Sequence, residues 1–402
     1  MFKTQEDSAG MAIEKRAEYL AFGRPDFTEA EIAAVVAVMR SGWIGQGNET
    51  AAFEADLAAA TGARHVLTVN SCTSALFLSL LALGVGPGDE VIVPSLTWCS
   101  TANAALYLGA KPVFADIDPH TFCITPQSVA DKVTARTKAV IPVHMGGLAA
   151  DIEGMRAVLP DGVAIIEDAA HALGTTDRQG RPIGASGNLV CYSFYANKNL
   201  STAEGGAVAT ADDVLADKIR SLRLHALPAD AWRRFTNPNV TFNGGIDTLG
   251  YKMNYTDLQA AIGRAQLARF DEMQAKRLEI AQRYIARLSN QGVAEFQEGL
   301  GRPEHAHHLM LVRLSPAALA AAGLTRDALL MRLREANIGA SLHYHPLHTM
   351  PLYEAMGAHP LPDTEALAPL VLTLPISASM TPDDADYVCD HLLGLLGVTT
   401  QE

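Results

Sequence analysis

Short runs of consecutive apolar residues alternate with longer stretches of helical spacing between about Thr28 and Asp257. Runs of this length that end in turn residues are typical of buried strands, whereas apolar residues at every third or fourth position predict the intervening helices. The predicted strands are 65–69, 90–93, 111–115, 139–143, 163–166 and 189–192. Regular alternation of strand and helix patterns predicts an α/β domain around a largely parallel sheet.

The pattern changes after Asp257. Residues 258–288 keep helical apolar spacing with scattered charges, which predicts one long amphipathic helix. Beyond it, strands at 308–314 and 340–344 and a helix at 326–336 predict a smaller α+β domain. The expected organisation is an N-terminal arm (1–27), a large α/β domain (28–257), a connecting helix (258–288) and a small C-terminal domain (289–402).

Composition excludes several classes of function. The 402 residues carry a formal net charge of −13 and are 49% hydrophobic, which is typical of a globular protein without long-range attraction for nucleic acid or anionic membranes. No apolar run approaches the length of about 18 residues that spans a bilayer.

The cysteines are expected to be reduced and mostly buried, because they are odd in number and widely spaced. They are Cys72, Cys99, Cys123, Cys191 and Cys389. Together these features predict a cytoplasmic protein.

The strongest chemical signal lies at residues 193–206, where Lys198 follows a predicted strand in a run of small and hydroxylic residues closed by two glycines. A lysine in a polar loop is usually only a solvated charge. Here, however, the strand at 163–166 leads directly to Asp168. Ligands bind at the carboxyl ends of strands in open α/β sheets, so we expect Asp168 and Lys198 to share one crevice. An amine nucleophile with a carboxylate partner suggests pyridoxal phosphate (PLP) chemistry.

Further motifs are spread over nearly the whole chain. They are residues 41–47, 70–75, 86–94, 167–171, 193–206 and 250–254. Together they resemble the DegT/DnrJ/EryC1/StrS family of sugar aminotransferases. The resemblance implies a fold-type I PLP-dependent transferase like aspartate aminotransferase, with a mostly parallel central sheet in the large domain and a smaller C-terminal α+β domain.

Within the family, some segments are most similar to members that aminate a UDP-linked 4-keto sugar. They are residues 94–98, 141–144, 250–257 and 339–343. The chain departs from the family at Ala203, where glycine is common, and around residues 344–346.

The resemblance implies a role for particular residues. Lys198 would form the Schiff base with PLP, and Asp168 would contact the pyridine nitrogen. The other expected cofactor contacts are Thr73, Ser74 and Ser193 on the phosphate, Trp98 on the ring face, His171 at the ring hydroxyl, and Asn254 on the phosphate of the neighbouring subunit. This last contact implies a homodimer with shared active sites.

Structural alternatives exist for most of these positions. Thr73 and Ser74 could simply cap a helix, and Trp98 could be a core residue. His171 could be a buried structural histidine. Asn254 could be a turn residue.

Histidines cluster at residues 305–308 and 343–348. They could be taken for metal ligands, but no acid or thiol set accompanies them at ligand spacing, and we expect no metal. His308 and His343 are interpreted instead as substrate contacts or residues at the rim of the active site.

These observations predict an aminotransferase that passes the amino group of L-glutamate to a nucleotide-linked keto sugar, with 2-oxoglutarate as the keto-acid product. One alternative is a sugar dehydratase that uses the pyridoxamine form of the cofactor (PMP), but such relatives replace the lysine with histidine. The other is a non-catalytic PLP-binding regulator, which would be expected to carry a basic DNA-binding segment. Sugar specificity is expected in loops such as 228–243.

Overall fold

The computed structural model describes residues 14–227, 246–357 and 359–398. Its larger sheet contains β1 (His65–Val69), β2 (Glu90–Pro94), β3 (Lys111–Ala115), β4 (Thr137–Val140), β5 (Ala164–Asp168), β6 (Leu189–Ser193) and β7 (Gly206–Thr210). Within the described ranges the strand order is β1-β7-β6-β5-β4-β2-β3. Strand β7 is antiparallel to both of its neighbours, and the other pairs are parallel. The predicted α/β architecture with a mostly parallel sheet is confirmed.

Seven helices in the described residues accompany this sheet. They are α1 (Glu29–Ser41), α2 (Asn48–Thr61), α3 (Cys72–Ala82), α4 (Ser100–Leu106), α5 (Pro126–Ala130), α6 (Ile152–Val158) and α7 (Asp213–Leu222). Polar side chains start several of them: Thr28 forms a capping box with Glu31, and Ser71 caps α3. Helix α3 is apolar almost all round because it packs between the sheet and helices α4 and α7.

The long connecting helix is interrupted, which corrects the prediction of one helix over 258–288. Helix α8 (Asp257–Ala268) ends at Arg269, whose φ of −111° and ψ of 9° are not helical, and α9 (Phe270–Leu288) begins after it. The Arg269 guanidinium binds the Asp26 and Glu31 carboxylates. The two halves also pack on different partners, α8 on α1 and α2, and α9 on the C-terminal helix.

The C-terminal part contains a smaller antiparallel sheet. Its strands in the described residues are β8 (Ala294–Phe296), β9 (Met310–Leu314) and β10 (Val371–Leu374), in the order β10-β9-β8. Its helices are α10 (Pro316–Ala321), α11 (Arg326–Glu335), α12 (Pro351–Glu354), α13 (Pro362–Leu367) and α14 (Pro382–Leu395).

The strand expected at 340–344 does not form. Only Ser341 pairs, through a single bridge to Thr373 of β10. The next residues use their side chains elsewhere: His343 binds the Thr373 hydroxyl, and Tyr344 binds His171 across the active site. The predicted strand at 308–314 begins two residues late, at Met310 of β9.

Residues 14–27 of the predicted arm lie against the C-terminal part of the chain. Leu20 pairs with Ile338, and the Phe22 ring stacks on His343 at a centroid distance of 4.8 Å. The five cysteines are unpaired, and all are buried except the half-buried Cys99. In the ranges that the structure describes, no helix combines the length and the apolar character needed to cross a bilayer.

Candidate active site

A cavity of about 460 Å³ lies at the carboxyl ends of the parallel strands. Strands β1, β2, β5 and β6 all end at this edge of the sheet, so the residues that follow them converge. The lining residues are Ser71, Cys72, Thr73, Thr97, Trp98, Ser100, Val143, Asp168, Ala170, His171, Ser193, Tyr195, Asn197, Lys198, Glu204, Gly205, His343 and Tyr344. The structure therefore brings together Lys198 and Asp168, which are 30 residues apart in the sequence.

Lys198 lies in a turn just beyond β6. Its backbone N–H donates to the Tyr195 carbonyl at 2.9 Å, and its Nζ donates to Nε2 of His308 at 3.3 Å. Burial lowers the pKa of the Lys198 amine to about 8, although the nearby Asp168 carboxylate acts in the opposite direction. A substantial fraction of this amine is therefore neutral near physiological pH and available as a base or nucleophile.

Asp168 ends strand β5 and is buried. One carboxylate oxygen accepts from the Thr101 hydroxyl at 2.8 Å, and the other accepts from the Ala170 N–H at 3.2 Å. Burial raises the pKa of Asp168, while these two hydrogen bonds and Lys198 oppose the shift. A positively charged ligand group beside this carboxylate would be strongly favoured, because it would supply the missing counter-charge.

The preceding acid, Glu167, points to the other face of the sheet. Its carboxylate accepts from Nε2 of His144 at 2.9 Å and from the Asn188 amide at 2.7 Å, away from the cavity. Successive strand residues face opposite sides, so only Asp168 of the two faces the active-site cavity.

The His171 and Tyr344 rings line one wall of the cavity, whereas His308 is not among the lining residues and lies against His171. Nδ1 of His171 accepts from the Gly146 N–H at 3.3 Å, which leaves Nε2 to donate to the Tyr344 hydroxyl at 3.1 Å. The His171 and His308 rings lie 4.6 Å apart between centroids. Burial holds the pKa values of both histidines well below the ordinary value, so both rings are neutral.

His343, predicted as a rim contact, also lines the cavity. Its Nδ1 atom pairs with the Thr373 hydroxyl at 2.9 Å, and burial lowers its pKa to about 3. His343 is therefore a neutral hydrogen-bonding group at this side of the cavity.

The start of helix α3 forms another part of the wall. Thr73 faces the cavity together with Ser193 at the end of β6. Ser74 does not line it: its hydroxyl donates to Asn70 at 2.7 Å, and its N–H donates to the Ser71 hydroxyl at 3.1 Å. The structure thus brings Thr73 and Ser193 together but directs Ser74 elsewhere. Unpaired N–H groups in the first turn make this helix start suitable for an anion.

Two predicted residues lie at the margins. Trp98 is 61% exposed, so it is not a core residue, and its ring lies 6.0 Å from Tyr344 between centroids at the cavity mouth. Asn254 does not line this chain's cavity, and its amide donates to the Tyr255 carbonyl at 2.9 Å.

The other histidines of the 305–308 cluster have structural partners. His305 accepts from the His307 N–H at 2.8 Å and pairs with the Gln297 carboxamide at 3.2 Å, while His307 accepts from the Gly301 N–H. In the described part of the chain, no group of three or more His, Cys, Asp or Glu side chains is arranged to hold a metal ion.

Several residues that support the site carry no signal in the sequence. Thr101 holds Asp168 from helix α4, and Asn199 holds His308 through a contact between Nδ1 and Oδ1 of 3.0 Å. Tyr344 lines the cavity beside His171, to which its hydroxyl is hydrogen-bonded. Asn199 is adjacent to Lys198, but nothing in the sequence indicates that its partner lies more than 100 residues away.

The residues present fit the predicted PLP. An amine and a carboxylate lie in one cavity, as PLP requires for its aldehyde and its pyridine nitrogen, and hydroxyls at a helix start can take the phosphate. The cavity wall also needs a glycine at Gly205. A Cβ at this position would lie 2.7 Å from the Tyr255 ring, and the φ of +154° disfavours residues other than glycine.

Comparison with known proteins supports this assignment. The DegT/DnrJ/EryC1/StrS aminotransferase family model matches residues 25–393. The chain is 43% identical to the spore coat polysaccharide biosynthesis protein SpsC of Bacillus subtilis, over 94% of this chain and 97% of SpsC.

Solved structures agree. The chain resembles the sugar aminotransferase Spr1654 of Streptococcus pneumoniae in its PMP form, with 31% sequence identity and a TM-score of 0.85. The match covers 94% of this chain and 98% of Spr1654. Spr1654 has also been solved in a PLP form. The chain also resembles the aminotransferase TlmJ of Streptoalloteichus hindustanus, with 34% identity, a TM-score of 0.83, and 94% and 99% covered. The chain belongs to the DegT/DnrJ/EryC1/StrS family and is a PLP-dependent sugar aminotransferase.

Proposed function

We propose that this protein transfers the amino group of L-glutamate to a nucleotide-linked keto sugar, of the UDP-4-keto class, in amino-sugar biosynthesis. The observation that carries the proposal is the Lys198 amine, buried with a pKa lowered to about 8, in the same cavity as the Asp168 carboxylate. When bound, PLP supplies an electron sink that stabilises negative charge on the carbon bearing the amino group.

The chain's own residues have distinct tasks in this proposal. Lys198 anchors the cofactor and, when free, holds and returns the proton of the substrate carbon. Asp168 keeps the pyridine nitrogen protonated. Thr73 and Ser193 bind the phosphate, and Trp98 covers the ring face.

A sugar acceptor agrees with the shape and chemistry of the cavity mouth. Tyr195 lines the cavity and is 48% exposed, and such an aromatic face packs well against sugar rings. The relative SpsC is described as a spore coat polysaccharide biosynthesis protein, which supports a role in sugar modification. The nucleotide and the 4-keto position rest on the segments that resemble UDP-4-keto-sugar aminotransferases. Residues 228–243, where we expect much of the specificity, lie outside the described ranges.

The acceptor is tested with the purified protein in its PMP form and a panel of nucleotide-linked 3-keto and 4-keto sugars. We expect one UDP-4-keto sugar to convert PMP to PLP stoichiometrically, with an aminated sugar as product. A deoxygenated product without amination would instead indicate the dehydratase. No conversion with any sugar would contradict the proposed acceptor class.

The amino donor is tested in the opposite direction. The PLP form is mixed separately with L-glutamate, L-glutamine and L-aspartate, and formation of PMP and of the keto acid is followed. We expect L-glutamate to react fastest and to release 2-oxoglutarate. A clear preference for L-glutamine would replace glutamate as the donor without affecting the acceptor.

We further propose a homodimer in which Asn254 binds the phosphate of the partner's cofactor. Asn254 does not line its own chain's cavity, so no role in that cavity competes with the proposed contact to the partner's cofactor. In a two-fold dimer, mixing Asn254→Ala with Lys198→Ala chains then creates one site with both defects and one site with neither, and activity returns. Mixing that restores nothing despite demonstrated subunit exchange would place Asn254 and Lys198 in the same site.

The proposed location is the cytoplasm. Five unpaired cysteines, most of them buried, fit a reducing compartment, because secreted proteins commonly pair their thiols. Fractionation of cells that make the protein tests this, and recovery in the secreted fraction would contradict it.

A further inference from the structure

The Lys198 amine contacts another side chain when it is not bonded to a cofactor. Its Nζ lies 3.3 Å from Nε2 of His308, a residue 110 positions further along the chain, just before β9. In the PMP form the lysine is not bonded to the cofactor, so the amine needs a position that keeps it close to the reacting atoms. The contact with His308 provides one.

The His308 ring is held through Nδ1, the ring nitrogen that does not contact Lys198. Its Nδ1 lies 3.0 Å from Oδ1 of Asn199. The Asn199 amide nitrogen donates to the Gln274 side chain at 2.9 Å and to the Ala306 carbonyl at 2.6 Å, which identifies Oδ1 as the acceptor. Nδ1 of His308 therefore carries the proton, and the neutral ring presents the bare Nε2 to Lys198.

The surroundings keep the ring neutral. Burial lowers the pKa of His308, and the charges of Lys198 and Arg277 act in the same direction. Other titratable groups near the lysine and the ring are Asp168 on β5, Cys72 on α3, and His171, His343 and Tyr344 in the loops. A ring that stayed protonated would have no acceptor to offer Lys198.

We propose that His308 is a positioning residue for Lys198. Whenever the lysine is not bonded to the cofactor, Nε2 of His308 accepts a hydrogen bond from the Lys198 amine and so holds the amine in place for proton transfer. This inference rests on the role of Lys198 in the proposed function. It also changes the expected role of His308, from a substrate contact to a residue that acts through the lysine.

Two variants distinguish the role of Nε2, which contacts Lys198, from that of Nδ1, which contacts Asn199. His308→Asn keeps a polar group near the position of Nδ1 but is too short to reach Lys198, whereas His308→Gln places a carboxamide near the position of Nε2. Their first readout is the pH titration of Lys198 in the PMP form, measured by competitive acetylation and mass spectrometry. Because a hydrogen bond to an ammonium favours the charged form, we expect His308→Asn to lower the pKa of Lys198 by about one unit. His308→Gln should restore most of that shift.

The second readout is the isotope effect from deuterium on the α-carbon of the amino donor. A poorly held amine makes proton transfer slower, so we expect His308→Asn to raise the isotope effect and to lower kcat by about tenfold or more, with KM for the donor little changed. His305→Gln is the matched control, because His305 is a buried histidine of the same segment whose hydrogen bonds go to His307 and Gln297. It should leave the Lys198 titration unchanged.

An unchanged Lys198 titration and an unchanged isotope effect in His308→Asn would overturn the inference. If that variant does not fold, Asn199→Ala carries the test, because it removes the group that orients the ring, and the same shifts are expected in weaker form. Turnover by Lys198→Ala would instead refute the proposed function. An inactive Lys198→Ala together with an unaffected His308→Asn would refute only the role of His308.

Discussion

Replacing Asp168 with asparagine separates the charge of this residue from its shape. The side chain is 4% exposed and its two oxygens accept one hydrogen bond each, from Thr101 and from Ala170. In Asp168→Asn, the remaining oxygen can still accept from the Ala170 N–H. The Thr101 hydroxyl can turn to accept from the new amide and donate to the Thr97 hydroxyl, which is 3.0 Å away. We therefore expect a loss of stability of about 1 kcal/mol or less.

The expected effect on activity is much larger. Opposite unit charges about 4 Å apart attract by about 4 kcal/mol at an effective dielectric constant of about 20. With this energy Asp168 would hold the pyridine nitrogen of a bound cofactor protonated, and without it the protonated, reactive form would be about a thousandfold less populated, with a rate decrease of the same order. Single-turnover conversion of the PLP form by the amino donor measures this rate, and thermal unfolding measures stability.

Glu167→Gln is the matched control, because Glu167 is the adjacent buried carboxylate on the opposite face of β5. The carboxamide of this variant can no longer accept from both His144 and Asn188, so we expect a loss of about 1–3 kcal/mol of stability with little change in the rate per folded molecule. The reasoning is refuted if Asp168→Asn retains wild-type turnover, or if its rate loss is matched by Glu167→Gln.

Three further predictions concern the Lys198 amine, the packing of α8 on α2, and Trp98. In the wild-type protein freed of cofactor, acetylation of Lys198 should increase as the pH rises through about 8, because the neutral amine is the reactive species. A midpoint near 10.5, the value of an ordinary lysine, would contradict its burial. Gly263→Ala should lower the free energy of unfolding by about 1–2 kcal/mol, because a Cβ there would lie 2.4 Å from the Phe53 ring. In the control, Gly45→Ala, the new Cβ would have no neighbouring atom within 4 Å, so the melting temperature should be nearly unchanged. Trp98→Ala should leave stability within about 0.5 kcal/mol, since the ring is 61% exposed, but should weaken PLP binding measurably by equilibrium dialysis.

Much of the large sheet can be predicted from apolar runs, because its strands are buried on both faces. Strands β1 and β3 match their predicted residues, 65–69 and 111–115. Strand β7 (Gly206–Thr210) is not predicted, because its small residues follow two glycines and resemble the end of a loop. Strand β4 spans Thr137–Val140 rather than 139–143, although the Ile141 N–H still donates to the Ile92 carbonyl of β2 and the Pro142 carbonyl still accepts from the Asp168 N–H of β5.

Predictions are weaker where tertiary contacts decide the local structure. The break at Arg269 depends on ion pairs with residues more than 230 positions away, and the missing strand at 340–344 depends on side chains that turn toward the active site. The site itself shows the same limit. Topology predicts that Lys198 and Asp168 lie in one crevice, whereas the contacts of His308 with Lys198 and of Thr101 with Asp168 join distant elements and leave no pattern in the sequence.

The central claim is that Lys198 is the residue that bonds the cofactor. Borohydride reduction of the PLP-loaded protein fixes the bond between the cofactor and its lysine, and peptide mapping by mass spectrometry then identifies the modified residue. We predict that the phosphopyridoxyl group is found on the peptide containing Lys198, and that Lys198→Ala loses this modification while Lys276→Ala, a change in an exposed ion pair with Glu272, retains it. A phosphopyridoxyl group on any other lysine of the wild-type protein would contradict the account.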